Sequence, residues 1–228
     1  MKKILLSLIF AVVFSSSLFA WTKPQFVREL PADVNLTNAF DVFMDVPTAS
    51  TSSVLNAVTI STTSLAAGTT TYALALGDYT DVILPRNVTV DVDFATGKAT
   101  TTVSGTLTII GKNQFGRSVN ETIAVSTNTA TGNVAFSTIT SLVYTAFTIT
   151  GASEDNILLT VGTGVKIGLS NNITSTANFI KVIEDGATST TYVGNATYNT
   201  IQFASAPDGS KDYQVLYEAR TDKTVYNY

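Results

Sequence analysis

Between Asn87 and Ser126 apolar and polar residues alternate. Val88, Val90, Val92 and Phe94 are interleaved with Thr89, Asp91 and Asp93. After a turn-like Ala95-Thr96-Gly97-Lys98, Val103, Leu107 and Ile109 alternate with Thr102, Ser104, Thr106 and Thr108. Gly111 to Gly116 reads as a second turn, after which Val119, Ile123 and Val125 resume the pattern. A period of two sets neighbouring side chains on opposite faces of a strand, and connections this short join antiparallel neighbours. The stretch therefore predicts a β-meander with one buried and one wet face. Glu121 breaks the pattern, because alternation places it on the face of Val119 and Ile123. A buried, unpaired carboxylate is costly, so either a bulge shifts the register near Val119 or Glu121 lies at the sheet margin.

The same patterning extends along most of the chain. Val54 to Ile60, Tyr72 to Leu76 and Val82 to Leu84 read as short strands. Thr131-Gly132-Asn133 is a turn, followed by Val134, Phe136 and a strand over Ile139 to Ile149 with apolar residues on both faces. Ile157, Leu159 and Val161 come next, then Gly162-Thr163-Gly164 as a β-turn, then Val165, Ile167 and Leu169. Asn171-Asn172 reads as a boundary. Beyond it lie strand candidates over Phe179 to Ile183, Thr190 to Val193, Thr200 to Phe203 and Tyr213 to Tyr217, with Asp185-Gly186 and Asp208-Gly209 in turn positions. Trp21 to Pro47 differs, holding three of the five prolines. It reads as an extended arm with Val42 and Met44 pointing one way; the competing reading is a short helix capped by Asp33, with Leu36, Phe40 and Phe43 on one face. Short strands at this spacing predict an all-β fold, an antiparallel β-sandwich that is Ig-like or jelly-roll-like, with an N-terminal arm and additional C-terminal β-hairpins.

Composition narrows the function classes. Residues 1–20 carry Lys2 and Lys3, an apolar run from Ile4 to Phe14 broken only by Ser7, and a small-residue region ending at Ala20. This is the pattern of a secretory signal peptide, with an uncleaved anchor as the alternative. The expected organisation is a signal peptide over 1–20, an arm and Ser/Thr-rich linker over 21–65, a β-sandwich core over 66–170 and a C-terminal hairpin region over 171–228. The expected location is exported: extracellular, cell-surface or periplasmic. Cleavage leaves 11 basic against 17 acidic residues with no Lys/Arg cluster, which is not the footprint of a nucleic-acid binder. The chain has no Cys and no His. Disulfides, thiolate nucleophiles, Ser-His-Asp triads and Cys-His dyads are therefore excluded. Threonine, 38 of 228 residues, takes the place of charge on the wet faces.

No constellation points to an enzyme, a cofactor or a small-molecule substrate. Asp78, Asp81, Asp91 and Asp93 are oxygen-rich, but no Asp-x-Asp-x-Asp-Gly loop joins them and a solvated strand face accounts for them. Glu154-Asp155-Asn156 reads as an ordinary turn. Glu121, Glu154, Glu184 and Glu218 are scattered, and nothing in the sequence pairs them for glycoside hydrolysis. Phe115, at a loop tip, is a contact candidate. The tyrosines, Tyr192, Tyr198 and Tyr217 among them, are candidates for a sugar-stacking surface or for cross-strand packing. Trp21, Phe26 and Phe40 are the contact candidates of the arm. The aromatic C-terminus Val225-Tyr226-Asn227-Tyr228 admits an outer-membrane barrel as a further reading, although girdle aromatics are missing from the Thr-rich faces.

One order of motifs stands out. Pro85-Arg86-Asn87-Val88-Thr89-Val90 leads to Ser104-Gly105-Thr106-Leu107-Thr108-Ile109-Ile110-Gly111, then Asn113-Gln114-Phe115-Gly116 and Glu121-Thr122-Ile123. Ala135-Phe136-Ser137-Thr138-Ile139-Thr140-Ser141, Val161-Gly162-Thr163-Gly164-Val165-Lys166-Ile167-Gly168-Leu169 and Ala206-Pro207-Asp208-Gly209-Ser210-Lys211-Asp212-Tyr213 complete it. The order resembles that of β-rich structural proteins of tailed-bacteriophage virions, over about Leu84 to Leu169 and Ala206 to Tyr217. The resemblance implies a non-catalytic β-sandwich on a particle surface, such as a head-decoration or tail-associated subunit, and no catalytic residues. The export signal departs from that group. The expectation is a non-enzymatic structural or surface protein whose partners are protein subunits. A secreted glycan-binding or adhesion module and an outer-membrane barrel are the alternatives.

Overall fold

The computed structural model describes residues 36–60, 72–73, 82, 84–94, 102–126, 129–150 and 157–220. The expected signal peptide, Trp21, Phe26, Asp78, Asp81, the turn at 95–98, the loop at 154–156 and the C-terminal aromatics lie outside the described residues.

Fourteen strands are described: β1 (Leu36–Phe43), β2 (Ser50–Ile60), β3 (Tyr72–Ala73), β4 (Arg86–Phe94), β5 (Thr102–Asn113), β6 (Ser118–Ser126), β7 (Ala130–Thr131), β8 (Phe136–Thr150), β9 (Ile157–Gly168), β10 (Phe179–Glu184), β11 (Ala187–Ser189), β12 (Val193–Asn195), β13 (Thr200–Gln202) and β14 (Tyr213–Arg220). The fold is all-β, and every pairing is antiparallel. A ten-stranded sheet runs β12-β13-β9-β4-β8-β5-β6, with β2 beside β9, β3 beside β8 and β7 beside β4. A four-stranded sheet runs β1-β14-β10-β11.

The large sheet curls on itself in a sandwich-like way. β4 and β8 meet at one pair only, Arg86 with Phe136, so the strands splay apart beyond it. The space between is filled by Val88, Val90, Val92, Leu159, Val161 and Leu55 from one side and Leu107, Ile109, Ile123, Leu142 and Tyr144 from the other. A second core lies under the small sheet, where Tyr213, Val215, Tyr217 and Val182 meet Ile167, Leu169, Ile201 and Phe203. β9 feeds both cores, with Leu159 and Val161 in the first and Ile167 in the second.

The alternation over β4, β5 and β6 is borne out, because Val88, Val90, Val92, Leu107, Ile109, Val119, Ile123 and Val125 are all buried. The meander is only half present. β5 and β6 pair along their length, but β4 does not pair with β5; its flanks belong to β9 and β7, and its valines face Leu107 and Ile109 across the core. One expected turn, Gly111 to Gly116, begins only after Asn113, and another is strand throughout. Gly111 lies inside β5, where its backbone approaches β8 so closely that a Cβ would stand 2.1 Å from the Thr138 carbonyl oxygen. Gly162-Thr163-Gly164 lies inside β9, which runs unbroken because Thr89 and Val88 of β4 pair with Gly162 and Thr163. Val82 is buried, but outside any strand.

The described part of the arm, from Leu36 on, is extended, not helical. Leu36–Phe43 is strand β1, with Val42 and Met44 both exposed. It pairs over its full length with β14 of the same chain, Leu36 opposite Arg220 and Phe43 opposite Tyr213. Segment 21–65 thus supplies β1 to the small sheet and β2 to the large one. Asp185-Gly186 forms the expected hairpin turn between β10 and β11, with φ of 50° and 79°, the two positive values of a type I′ turn. Asp208-Gly209 instead lies in a loop joining β13 to β14, which belong to different sheets.

Candidate functional site

Where the two cores meet, the chain buries polar side chains. Asn87, fully buried, donates from Nδ2 to the Gly132 carbonyl at 2.9 Å, and its Oδ1 accepts the Lys166 amide at 2.8 Å. It packs on Gly164, where a Cβ would stand 2.4 Å from Oδ1. Lys166 reaches from β9 to the same loop, donating from Nζ to Asn133 Oδ1 at 2.5 Å and to the Gly132 carbonyl at 3.3 Å. Glu121 approaches from β6, accepting the Asn133 amide at 2.6 Å and the Val134 amide at 3.2 Å.

Glu121 therefore stays on the face of Val119 and Ile123, half-buried, and β6 carries no bulge against β5. Of the two readings of the sequence the sheet margin holds, since β6 ends the strand order. Two backbone donors replace the lost water. Burial raises its pKa above the ordinary value, while those two amides and the Lys166 charge act in the opposite direction.

A second polar cluster ties β1 to the chain after β9. The Asp41 carboxylate, 6% exposed, accepts the Tyr217 hydroxyl at 2.9 Å, the Ser170 amide at 2.7 Å and the Ser170 hydroxyl. The Tyr217 oxygen in turn accepts the Asn171 amide at 3.1 Å. Burial, with the Asp41 carboxylate beside it, raises the Tyr217 pKa well above its ordinary value. Arg86 is also buried: Nη1 donates to the Pro47 carbonyl at 2.6 Å, whereas Nε and Nη2 have no hydrogen-bond partner. Burial lowers its pKa, with Tyr213 acting the other way.

The surface feature that stands out is the outer face of the small sheet. On β14 Tyr213, Val215, Tyr217 and Ala219 point inward, so Leu216 points out. Phe40 stands opposite Leu216, and Val42 opposite Gln214, which is flanked on its other side by Ile183. Phe40, Val42, Leu216 and Ile183 thus form an apolar group on a solvent face, with Met44, 66% exposed, at the end of β1. Among the described residues nothing pairs with the outer edge of β1.

Of the residues singled out from sequence, only Phe40 joins this face. Phe115 sits half-buried in the tight turn between β5 and β6, its amide bonded to Asn113 Oδ1 at 3.0 Å. Tyr192 packs edge-on against Phe179, ring centres 5.2 Å apart, and Tyr198 is half-buried in the turn between β12 and β13. Tyr217 is fully buried and cannot serve as a sugar platform; alternation on β14 carries it inward with Tyr213. Asp91 accepts the Thr129 hydroxyl at 3.0 Å, and Asp93 is exposed. Among the described residues no group of three His, Cys, Asp or Glu is gathered for a metal ion, and no helix is long and apolar enough to cross a membrane. Asp41, Asn133, Lys166 and Ser170 were not singled out as sites, because a polar residue among threonines carries no periodic signal. No family model, curated protein or solved structure matches the chain.

Proposed function

We propose that the chain is a non-enzymatic structural or surface protein, a subunit of an extracellular or virion-like assembly. The observation that carries this is the outer face of β1, β14 and β10, where Phe40, Val42, Leu216 and Ile183 meet solvent beside an open strand edge. Apolar groups of this kind on a sheet, and strand edges without partners, are the ordinary means by which β-proteins associate. The Asp41–Tyr217–Ser170 and Asn87 clusters support the same reading, since the donors and acceptors described there bond other parts of the fold. The export-signal pattern of residues 1–20 supports an extracellular setting.

The alternatives have less behind them. A glycan platform would need its tyrosines together on the surface, whereas Tyr217 is buried and Tyr192 is engaged by Phe179. An outer-membrane barrel needs apolar residues outward, and β6 turns Ser118, Asn120, Thr122, Ala124 and Ser126 outward.

Sedimentation of the full chain tests the proposal. Wild type is expected to associate as concentration rises, and Phe40→Ser with Leu216→Ser to shift it to the monomer with unchanged circular dichroism. A wild-type monomer at every concentration, alone and mixed with its particle or cell-surface fraction, overturns it. Deleting the arm is a poorer test, because it removes β1 and strips Tyr217 of Asp41.

A further inference from the structure

The seam between the cores holds a lysine, an asparagine amide and a carboxyl group in one place. Lys166 Nζ lies 2.5 Å from Asn133 Oδ1, so the amine is one atom removed from the carbonyl carbon Cγ. Glu121 grips the backbone amide of Asn133 at 2.6 Å and senses the Lys166 charge. All three are half-buried, on three different elements: β9, the loop before β8, and β6.

We propose that Lys166 and Asn133 are the two halves of an intramolecular isopeptide bond, with Glu121 positioning Asn133 and taking up the lysine proton. Glu121 makes no ion pair with Nζ, so the Lys166 proton passes to it through solvent, leaving a neutral amine and a neutral acid. The Nζ lone pair attacks Cγ, forming the new C–N bond; the bond from Cγ to Nδ2 then breaks. Nδ2 leaves as ammonia, collecting the second proton given up by Nζ, and the proton on Glu121 returns to solvent or to the ammonia. No oxidant or cofactor enters, and the product is one secondary amide and one ammonia. Proximity is the main requirement for such a step, and the fold supplies it. Burial, which raises the Glu121 pKa, favours the neutral acid the step needs.

The setting suits the bond. The chain has no Cys, so no disulfide can staple it. A link from Asn133 to Lys166 closes a loop spanning β8 and most of β9, and ties the entry of β8 to the strand that feeds both cores. Cross-links of this reach act chiefly by restricting the unfolded chain.

Intact-mass measurement on the full, folded chain is the test. The bond predicts a mass about 17 Da below that of the sequence, one ammonia lost. Trypsin should then fail to cut after Lys166, giving the 118–181 peptide with the same deficit. Lys166→Arg and Asn133→Ala should each restore the full mass, and Glu121→Gln, with circular dichroism showing the same fold, should do so too. Lys166→Arg should also melt about 10 °C lower. Full mass in the wild type overturns the proposal. So does a deficit with Lys166 still cleaved, which means that Asn133 has cyclised on its own backbone. A deficit that persists in Glu121→Gln removes Glu121 from the step.

Discussion

A carboxylate taken out of water must find donors, and Asp41 finds three: the Tyr217 hydroxyl, and the Ser170 amide and hydroxyl. Tyr217→Phe removes one of them, and a loss of about 1–2 kcal/mol in chemical denaturation is expected. Asp41→Ala leaves several buried donors unpaired, and should cost about 3 kcal/mol or more. Because both changes touch one cluster, the double variant should lose less than the two separate losses combined; strict additivity would show that the two side chains do not act together. At this scale the sequence was a partial guide. It marked Glu121 as the residue to explain, and the partners of Glu121 turned out to be backbone amides of a loop twelve residues away, which no side-chain pattern announces. Tyr217 was legible as an aromatic on a strand. Its inward direction followed from the phase of β14, which the short run Tyr213 to Tyr217 left open.

At the scale of elements, glycine decides how close two strands come. Gly164 lets Asn87 lie flat on β9, where it bonds the Gly132 carbonyl and the Lys166 amide together. Gly164→Ala would place a methyl 2.4 Å from Asn87 Oδ1, so Asn87 must move and surrender both bonds. A destabilisation of about 2–4 kcal/mol is expected from denaturant midpoints; a neutral result would mean that Asn87 has room to yield. The same contact explains why Gly162-Thr163-Gly164 looked like a turn: two glycines in three residues are turn chemistry by composition and close approach by context. Strand existence was legible from alternation in β4, β5, β6 and β14. Strand neighbours were not. β4 and β5 are close in sequence but sit in opposite walls of one core, and sequence distance says nothing about which wall a strand joins.

On the scale of the molecule, the two cores share β9, with Leu159 and Val161 in one and Ile167 in the other. A strand common to both couples their unfolding. Val90→Ala, in the first core, and Val215→Ala, in the second, should each cost about 1–3 kcal/mol and shift one shared calorimetric transition. Two resolved transitions, one moved by each variant, would show the cores to be independent. The all-β class was legible from β-prone composition and turn spacing. The division of the molecule was not, because the small sheet is assembled from β1 at one end of the described chain and β10, β11 and β14 at the other, while β12 and β13 between them return to the large sheet. That closure has a mechanical side. Leu36 stands opposite Arg220, so the two ends of the described chain lie together at one end of adjacent antiparallel strands. A pull applied at Leu36 and Arg220 loads β1 and β14 as a zipper, breaking their hydrogen bonds one after another. Under tension the small sheet would open first and at low force, lengthening the chain while the curled core behind it carried no load.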